Sequence, residues 1–436
     1  MDLKSIENIV SLCKRRGFIF QSSEIYGGLG STWDYGPYGV EMKQKIKDFW
    51  WHDVVTSREN VVGMDAAILM HPKTWEASGH VSNFHDPLVD CKNCKSRYRA
   101  DHIDLTKPCE RCGKKDWTEP RQFNLMFKTA IGPVEDSGEI TYLRPETAQG
   151  IFVNFMNVQG TSRQKLPFGI AQLGKAFRNE ITTGNFLFRT REFEQMELEF
   201  FIYPGENEKW LDYWCKERLN WFKKLGINPE KLRLRPHDKD ELAHYSTACF
   251  DVEYEFPFGW SELEGIADRG TFDLDQHNEY SGKKQQYFDP QTNERIIPAV
   301  VESSAGVDRT FLTCLVDAYC EEEVRDEKRI VLKLDPKIAP ITCAVFPLVK
   351  KDGLPEISQK IVEDIRTKYS AFFDQGGSIG RRYRRQDEAG TPFGVTVDHE
   401  TTENGTVTLR DRDSMEQVRI SKDKVCDVLQ EKFSSI

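Results

Sequence analysis

Between Phe177 and Phe201 the chain reads FRNEITTGNFLFRTREFEQMELEFF, a concentration of charged and aromatic side chains that could do chemistry. With the two-residue period of a strand, its second half sets Arg189, Arg191, Phe193, Gln195, Glu197 and Glu199 on one face and Met196, Leu198 and Phe200 on the other. One face is suited to packing and the other to binding. The preceding segment PFGIAQLGKAFR alternates Leu173 and Phe177 against Gln172 and Arg178, and Thr182, Thr183, Gly184 and Asn185 supply a flexible connection, so a hairpin is expected. The guanidinium forks of Arg178 and Arg189 suit phosphate oxygens, the Phe193 ring suits a stacked purine, and Glu197 suits an ammonium. A small zwitterion held beside a triphosphate would use all of them. Singly, each could equally belong to a solvated strand face with cross-strand ion pairs.

Other candidates lie outside the hairpin. Cys91, Cys94, Cys109 and Cys112 form two Cys-x-x-Cys knuckles at a spacing that can supply a closed thiolate set for zinc, the alternative being a knuckle that packs without metal. Glu262, Glu264, Asp268 and Asp273 follow one another closely enough to suggest a cluster, and carboxylates near a phosphate site suit magnesium. Arg309 falls at the start of an apolar helix, where it opposes the helix dipole and so implies a nearby anion. The run Arg381, Arg382, Tyr383, Arg384 and Arg385 could follow a phosphate backbone and stack a base, or form a solvated charged edge.

The elements that must hold these residues can be read in order. Residues from about 37 to 57 read as an amphipathic helix with Pro37 near its start. NVVGMDAAILMHP reads as a strand-like segment ending at Pro72, and WEASGHVSNFHDPLVD as a loop whose His, Ser and Trp could border a site. PRQFNLMFKTAIG and ITYLRPETAQGIFVNFMNV read as a strand pair leading into a helix, with Glu146 on the turn at the helix start. A Trp-rich helix ending at Gly226 should pack rather than bind, and FDVEYEFPFGWSELEGIADRGTFDL returns to strand alternation. Beyond Asp335 a small α/β domain is expected, with SIGRRYRRQDEAGTPFGVTVD as a loop and strand.

Composition bounds the reading. A chain of 436 residues is long for one core, and 39% hydrophobic with 30% charged residues is the balance of a folded, water-soluble protein. No apolar run is long enough to span a bilayer and the N-terminus has early acids, so a cytoplasmic protein without membrane contact is expected. The net charge of −10 argues against a nonspecific nucleic-acid coat. Of the 11 cysteines, those outside the knuckles, such as Cys215 and Cys343, read as small core residues.

Together these segments resemble the three signature motifs of class II aminoacyl-tRNA synthetases and, within that class, the homodimeric glycine-specific family. The helix and strand ending at Pro72 resemble motif 1, the hairpin 177–201 motif 2, and ESSAGVDR, Glu302 to Arg309, motif 3. RPETAQG, WEASGH and ELEGIADRGTFDL also resemble segments of the glycine-specific enzymes, so the likeness runs from near residue 20 to the C-terminus. It implies an α/β (α+β) fold: a mostly antiparallel six-stranded sheet flanked by helices, a zinc-ribbon-like insertion, and a C-terminal α/β anticodon-binding domain. The implied domain limits are 1–86 and 118–335 for the catalytic part, with a helical insertion near 204–245, then 87–117 for the cysteine module and 336–436 for the anticodon-binding domain. Ser303 stands where the family often has proline.

The resemblance also implies roles. Arg178, Arg309 and Glu262 would be catalytic; Arg178, Asn179, Glu180, Phe188, Arg189, Phe193, Glu262, Leu263, Gly306 and Arg309 would bind ATP. Arg99, Glu146, Phe193, Gln195, Glu197, Glu302, Ser304 and Gly306 would hold glycine, the four knuckle cysteines zinc, and residues 381–385 tRNA. The implied reaction attaches glycine to tRNA(Gly) through a glycyl-adenylate, with ATP, Mg2+ and structural Zn2+ as cofactors, a homodimer as the assembly, and diadenosine polyphosphate synthesis as a secondary activity. Two rival classes are a synthetase-like nucleic-acid clamp that has lost catalysis, which should lack some of these charged residues, and an ATP-dependent ligase for another small acid.

Overall fold

The computed structural model describes residues 4–101, 103–133, 139–181, 184–243, 245–324 and 326–434. Its main sheet has seven strands in the order Leu232–Pro236, Ala248–Phe256, Gly259–Gly270, Ala299–Gly306, Glu192–Ile202, Phe168–Phe177, Val61–Gly63. Six are antiparallel; Val61–Gly63 adds a short parallel edge. The expected six-stranded sheet therefore has one strand more, and the strand-like segment ending at Pro72 shrinks to three residues, because Pro72 begins the helix Pro72–Ala77. WEASGHVSNFHDPLVD is likewise not a loop: Trp75 lies in that helix, His80–Asn83 is a further helical turn, and His85–Asp90 is a strand.

Alternation decides what each face of the sheet carries. Met196, Leu198, Phe200 and Ile202 join Ala299, Val301 and Ala305 in the principal core, behind which lie the helices Pro37–Trp51, Asn207–Lys224 and Val307–Ala318. Helix Pro37–Trp51 buries Gly39, Met42, Ile46 and Trp50, one side of a helix, and begins with its proline in the first turn. Only glycine fits at position 39, since a Cβ there would stand 1.9 Å from the Phe18 carbonyl oxygen. Trp214 and Trp221 are buried and Trp210 packs beside them, as expected of the Trp-rich helix.

The opposite face divides in two. At one end Phe168, Ile170, Phe201 and Val300 pack under the helices Ala148–Phe152 and Phe155–Ser162. At the other end the same register brings up Gln195, Glu197, Glu302 and Ser304 and leaves a cleft. Segment 204–245 is helical only in part: after the helix Asn207–Lys224 it supplies the edge strand Leu232–Pro236 and then a loop over that cleft.

The cysteine segment sits on a three-stranded sheet, Arg97–Arg99, His85–Asp90 and Arg121–Asn124. The C-terminal sheet runs Ala371–Phe373, Cys343–Pro347, Phe393–Val397, Thr406–Asp411, Gln417–Ser421, the first three parallel and the rest antiparallel, around its own apolar core. Buried Asp387 joins it to the rest of the chain, meeting Arg329 at 3.0 Å and Arg410 at 2.9 Å. Among the described residues no helix is long and apolar enough to cross a membrane.

Candidate active site

Three neighbouring strands form the floor of the cleft. Pairing sets Glu197 opposite Ser304 and Ser304 beside Gly265, then Glu199 opposite Glu302 and Glu302 beside Ala267. Gly265 and Ala267 carry almost no side chain, so Glu197 and Glu302 on the adjoining strands border open space of about 310 Å³. Glu197 accepts from the Thr147 hydroxyl at 2.7 Å and the Ser304 hydroxyl at 3.1 Å, while the Gln195 amide donates to Ser304 at 3.1 Å. Glu199 is fully buried and neither of its carboxylate oxygens has a hydrogen-bond partner among the described residues.

The turn before helix Ala148–Phe152 brings Glu146 to the same place. Arg144 anchors that turn by donating to the Lys175 carbonyl at 2.6 Å and the Ala66 carbonyl at 2.8 Å. It passes so close to Gly174 that a Cβ there would lie 2.3 Å from its Nη2. Glu146 meets His80 Nε2 at 3.2 Å and accepts from the Gln149 amide at 3.2 Å. Arg269 makes two hydrogen bonds to Asp273, at 2.7 and 2.8 Å, and also donates to Glu302.

These surroundings drive the acids apart. Burial first, then the charge of Glu302, pushes Glu197 and Glu199 well above the usual carboxylate range. Burial also raises Glu302 in spite of Arg269. At Glu146 burial acts in the same direction but is overcome by His80, Arg269 and Arg178, which hold it below the ordinary value.

The hairpin supplies the opposite wall. Arg178 donates through Nε to the Pro145 carbonyl at 3.0 Å and lies 5.3 Å from the ring centroids of both Phe84 and Phe193, leaving its terminal nitrogens toward the cleft. Arg189 lines the cleft without a side-chain hydrogen bond or ion pair among the described residues, and Glu180, Phe188 and Phe193 line it too. Arg309 stacks over Phe188 at 4.5 Å, donates to its carbonyl at 3.1 Å and pairs with Glu262 at 3.0 Å, which is the anion its position at a helix start implied. Glu262 is half exposed at the cleft; partial desolvation raises its carboxyl, but the charge of Arg309 prevails and holds it below the usual range.

Several expected residues stand elsewhere. The four acids beginning at Glu262 are not one cluster: Leu263 is an extra residue opposite the Val252–Glu253 step, a bulge that sends Glu262 to the cleft and Glu264 to the helix side. There Glu264 pairs with buried Arg218 at 2.7 Å and accepts from Ser303. Asp268 binds Asn207, and Asp273 binds Arg269. The Leu263 side chain lies in the core. Asn179 lies off the cleft wall, its backbone donating to the Leu125 carbonyl at 2.7 Å. Arg99 also stands off that wall, paired with Asp86 at 3.0 Å and Asp101 at 2.7 Å.

The run 381–385 lies on the helix Ile379–Ala389 rather than in a loop, and so its side chains point in different directions. Arg382 is buried and donates to the Pro347 carbonyl at 2.6 Å; Tyr383 hydrogen-bonds Thr396 at 2.7 Å; Arg385 pairs with Asp374 and Arg384 lies 3.7 Å from Asp387. Arg381 alone of the five is exposed.

Sequence reasoning passed over His80, Thr147, Gln149 and Arg269, and the cleft-lining loop residues His237, Glu241 and Tyr245. The signal for the first four was present in WEASGH, RPETAQG and ELEGIADRG, but nothing in a single sequence tells which polar residue of such a segment faces the cleft; His237, Glu241 and Tyr245 lie outside those segments.

The cysteine knuckles fit a tetrahedral metal. All four sulfurs lie within 4.8 Å of one another, with Cys91 and Cys112 at 3.6 Å and Cys94 and Cys109 at 3.7 Å. These spacings are far beyond a disulfide and close to the ~3.8 Å separating thiolates around a zinc ion with ~2.3 Å Zn–S bonds. The two turns repeat each other: Lys95 donates to the Cys91 carbonyl and Gly113 to the Cys109 carbonyl, at 2.9 and 2.8 Å.

An antiparallel sheet carrying arginines from a hairpin and from a strand-to-helix turn, joined to a separate anticodon-type α/β sheet, is the architecture of a class II aminoacyl-tRNA synthetase. The family model for the tRNA synthetase class II core domain (G, H, P, S and T) matches residues 127–319, and that for the anticodon binding domain matches 342–432. A glycine–tRNA ligase of Treponema denticola is 57% identical over 428 residues, covering 96% of this chain and 95% of its own. Those of Caldanaerobacter subterraneus and Geobacillus thermodenitrificans are each 55% identical, covering 98% and 95% of this chain and the same shares of their own. The chain belongs to the glycine–tRNA ligase family.

Proposed function

We propose that this chain attaches glycine to tRNA(Gly) in two steps. The glycine carboxylate attacks the α-phosphorus of ATP, giving glycyl-adenylate and pyrophosphate; the terminal ribose hydroxyl of the tRNA then takes the glycyl group and AMP leaves. Both nucleophiles come from substrates, so the protein's work is alignment and charge stabilisation. Arg178 holds the α-phosphate, where charge builds in the first step. Arg189 and Arg309 hold the outer phosphates, Phe193 stacks on adenine, and Glu180 and Phe188 border it. Asn179 and Leu263 would contribute through backbone atoms, since their side chains stand off the cleft. Glu262 would help to hold Mg2+, which would offset the negative charge of the phosphates.

One observation carries the choice of amino acid: Glu146, Glu197 and Glu302 surround one small space over Gly265 and Ala267, and Arg269 is the cation seated among them. A bound ammonium supplies the missing positive charge, while the side-chain-free floor and the Gln195–Ser304 contact leave little room beyond a bare Cα. Gly306 would form the rim, and Arg99 would act from the edge of the cysteine module.

The same reading extends to zinc on Cys91, Cys94, Cys109 and Cys112, to the domain limits 1–86, 87–117, 118–335 and 336–436, to a cytoplasmic homodimer, and to diadenosine polyphosphate synthesis from the bound adenylate. For tRNA, Arg381 is the member of the basic run free to meet phosphate, with Arg384 and Arg385 beside it. The test is glycine-dependent exchange of pyrophosphate into ATP, run against alanine and serine and followed by charging of tRNA(Gly). Exchange with glycine and transfer to tRNA are expected; no exchange from folded protein with magnesium present would sink the reading.

A further inference from the structure

Ser78, His80, Glu146, Gln149, Asp273, Arg269 and Glu302 form one continuous line of hydrogen bonds, and every member is nine-tenths or more buried. The Ser78 hydroxyl meets His80 Nδ1 at 2.8 Å, and His80 Nε2 meets Glu146 Oε2 at 3.2 Å. The other Glu146 oxygen accepts from Gln149, whose amide nitrogen also donates to Asp273 at 2.8 Å, and Arg269 bridges Asp273 to Glu302. With both amide N–H groups given to carboxylates, Gln149 turns its carbonyl oxygen to His277 Nε2 at 2.9 Å, so that nitrogen is the donor.

His80 is held from every side. Its ring stands 5.5 Å from Trp75 and 5.4 Å from Phe84, and its carbonyl accepts from Asn124 at 3.2 Å. With Nε2 donating to Glu146, Nδ1 accepts from Ser78; with both nitrogens protonated, Ser78 can accept and turn its own proton to the Trp75 carbonyl, 3.4 Å away. The ring can therefore keep its hold on Glu146 in either charge state.

We infer that His80 is a positioning residue for the amino-acid substrate: through Nε2 it fixes the Glu146 carboxylate in the orientation that receives the glycine ammonium. This rests on the reading that Glu146 takes the ammonium. His80 itself does not line the cleft. Its effect therefore falls on glycine rather than on ATP, whose contacts lie on the hairpin and at Arg309.

The experiment is pyrophosphate exchange by the full chain with glycine and ATP varied separately. His80→Ala should raise the KM for glycine by about tenfold or more, the loss of one charge-assisted hydrogen bond, and leave the KM for ATP within about twofold. Imidazole added to the medium should enter the vacated space between Trp75 and Phe84 and bring the glycine KM back down. An unchanged glycine KM, or a parallel rise for both substrates that imidazole does not reverse, overturns the inference. Should His80→Ala fail to fold, Ser78→Ala gives the same reading, with a smaller rise in glycine KM expected and no rise overturning it. Glu146→Gln separates the two levels: an unaltered glycine KM there sinks the glycine-site reading itself, whereas a raised KM in Glu146→Gln with none in the His80 and Ser78 variants sinks the role of His80 alone.

Discussion

The Tyr35 hydroxyl donates to the carboxylate of Asp308, one residue before Arg309. Asp308 also takes the Lys43 ammonium at 3.1 Å and the Glu194 backbone N–H at 2.8 Å. One acid thus ties the strand Trp33–Tyr35, the helix Pro37–Trp51 and the hairpin to the turn that aims Arg309. Tyr35→Phe removes one of these donors from a largely buried carboxylate and should cost about 1–3 kcal/mol of unfolding free energy. Denaturant titration checks it, and pyrophosphate exchange on the folded variant should fall as Arg309 loosens.

Arg178 and Arg309 should matter far more to rate than to stability. Arg178 spends one nitrogen on the protein and Arg309 sits at the cleft edge, outside the core. Alanine at either should lower adenylate formation by about 10²–10³-fold, as for a removed transition-state donor, with the melting temperature little changed. Single-turnover adenylate formation beside a thermal melt separates the two effects; normal activity in either variant rejects the assignment.

Glu199 gives a pH dependence with a definite sign. Its folded-state pKa lies well above the ordinary 4.5, first through burial and then through Glu302. Below pH 4.5 the carboxyl is protonated in both states and adds no pH dependence. Above it the unfolded chain releases the proton while the folded chain keeps it, so stability falls by about 1.4 kcal/mol per pH unit until the folded pKa is reached. Glu199→Gln has no such slope, and its stability advantage over the parent should widen between pH 5 and pH 8. An advantage independent of pH would mean that Glu199 does not retain its proton.

Zinc should stabilise the cysteine segment specifically. Metal analysis of the purified protein should give about one zinc per chain, and Cys109→Ser or strong chelation should remove it and abolish hydrogen-exchange protection in strands His85–Asp90 and Arg97–Arg99, because the binding energy of such a site is folding energy. Full protection without metal would assign the knuckles to packing alone.

Two neighbouring arginines in the C-terminal domain should behave as opposites. Arg382→Ala removes a buried guanidinium and the donor to the carbonyls of Pro347, Leu348 and Asp374, of which Pro347 is buried, and should destabilise that domain by about 1–3 kcal/mol. Arg381→Glu should leave the melt unchanged and weaken tRNA binding, with a shallower salt dependence by about one phosphate contact. Equal effects on folding would contradict the burial difference.

The legible parts of this molecule are those written in simple periods. Alternation alone placed Gln195 and Glu197 opposite Met196 and Leu198, and cysteine spacing alone brought four sulfurs together. The failures have physical causes. A period-two reading puts Glu262 and Glu264 on one face, but the bulge at Leu263 separates them. A charge run read as a loop promises four basic contacts and one stacked ring, whereas a helix turns Arg382 inward and leaves Arg381 outside. His80 acquires its meaning only from Glu146, 66 positions away in the chain, and such a pairing leaves no periodic trace.

The Gln149 amide has a wider consequence. Both of its hydrogens and its oxygen are committed to fixed partners, so it has a single orientation, and it locks Glu146 to Asp273 before any ligand arrives. Glycine is among the smallest of ligands, and even an optimal contact yields at most about 1.5 kcal/mol per non-hydrogen atom. So small a molecule could not both assemble its receptor and bind tightly to it. A pocket whose acids are already braced spares the substrate that cost, and preorganisation here compensates for a ligand with almost nothing to hold.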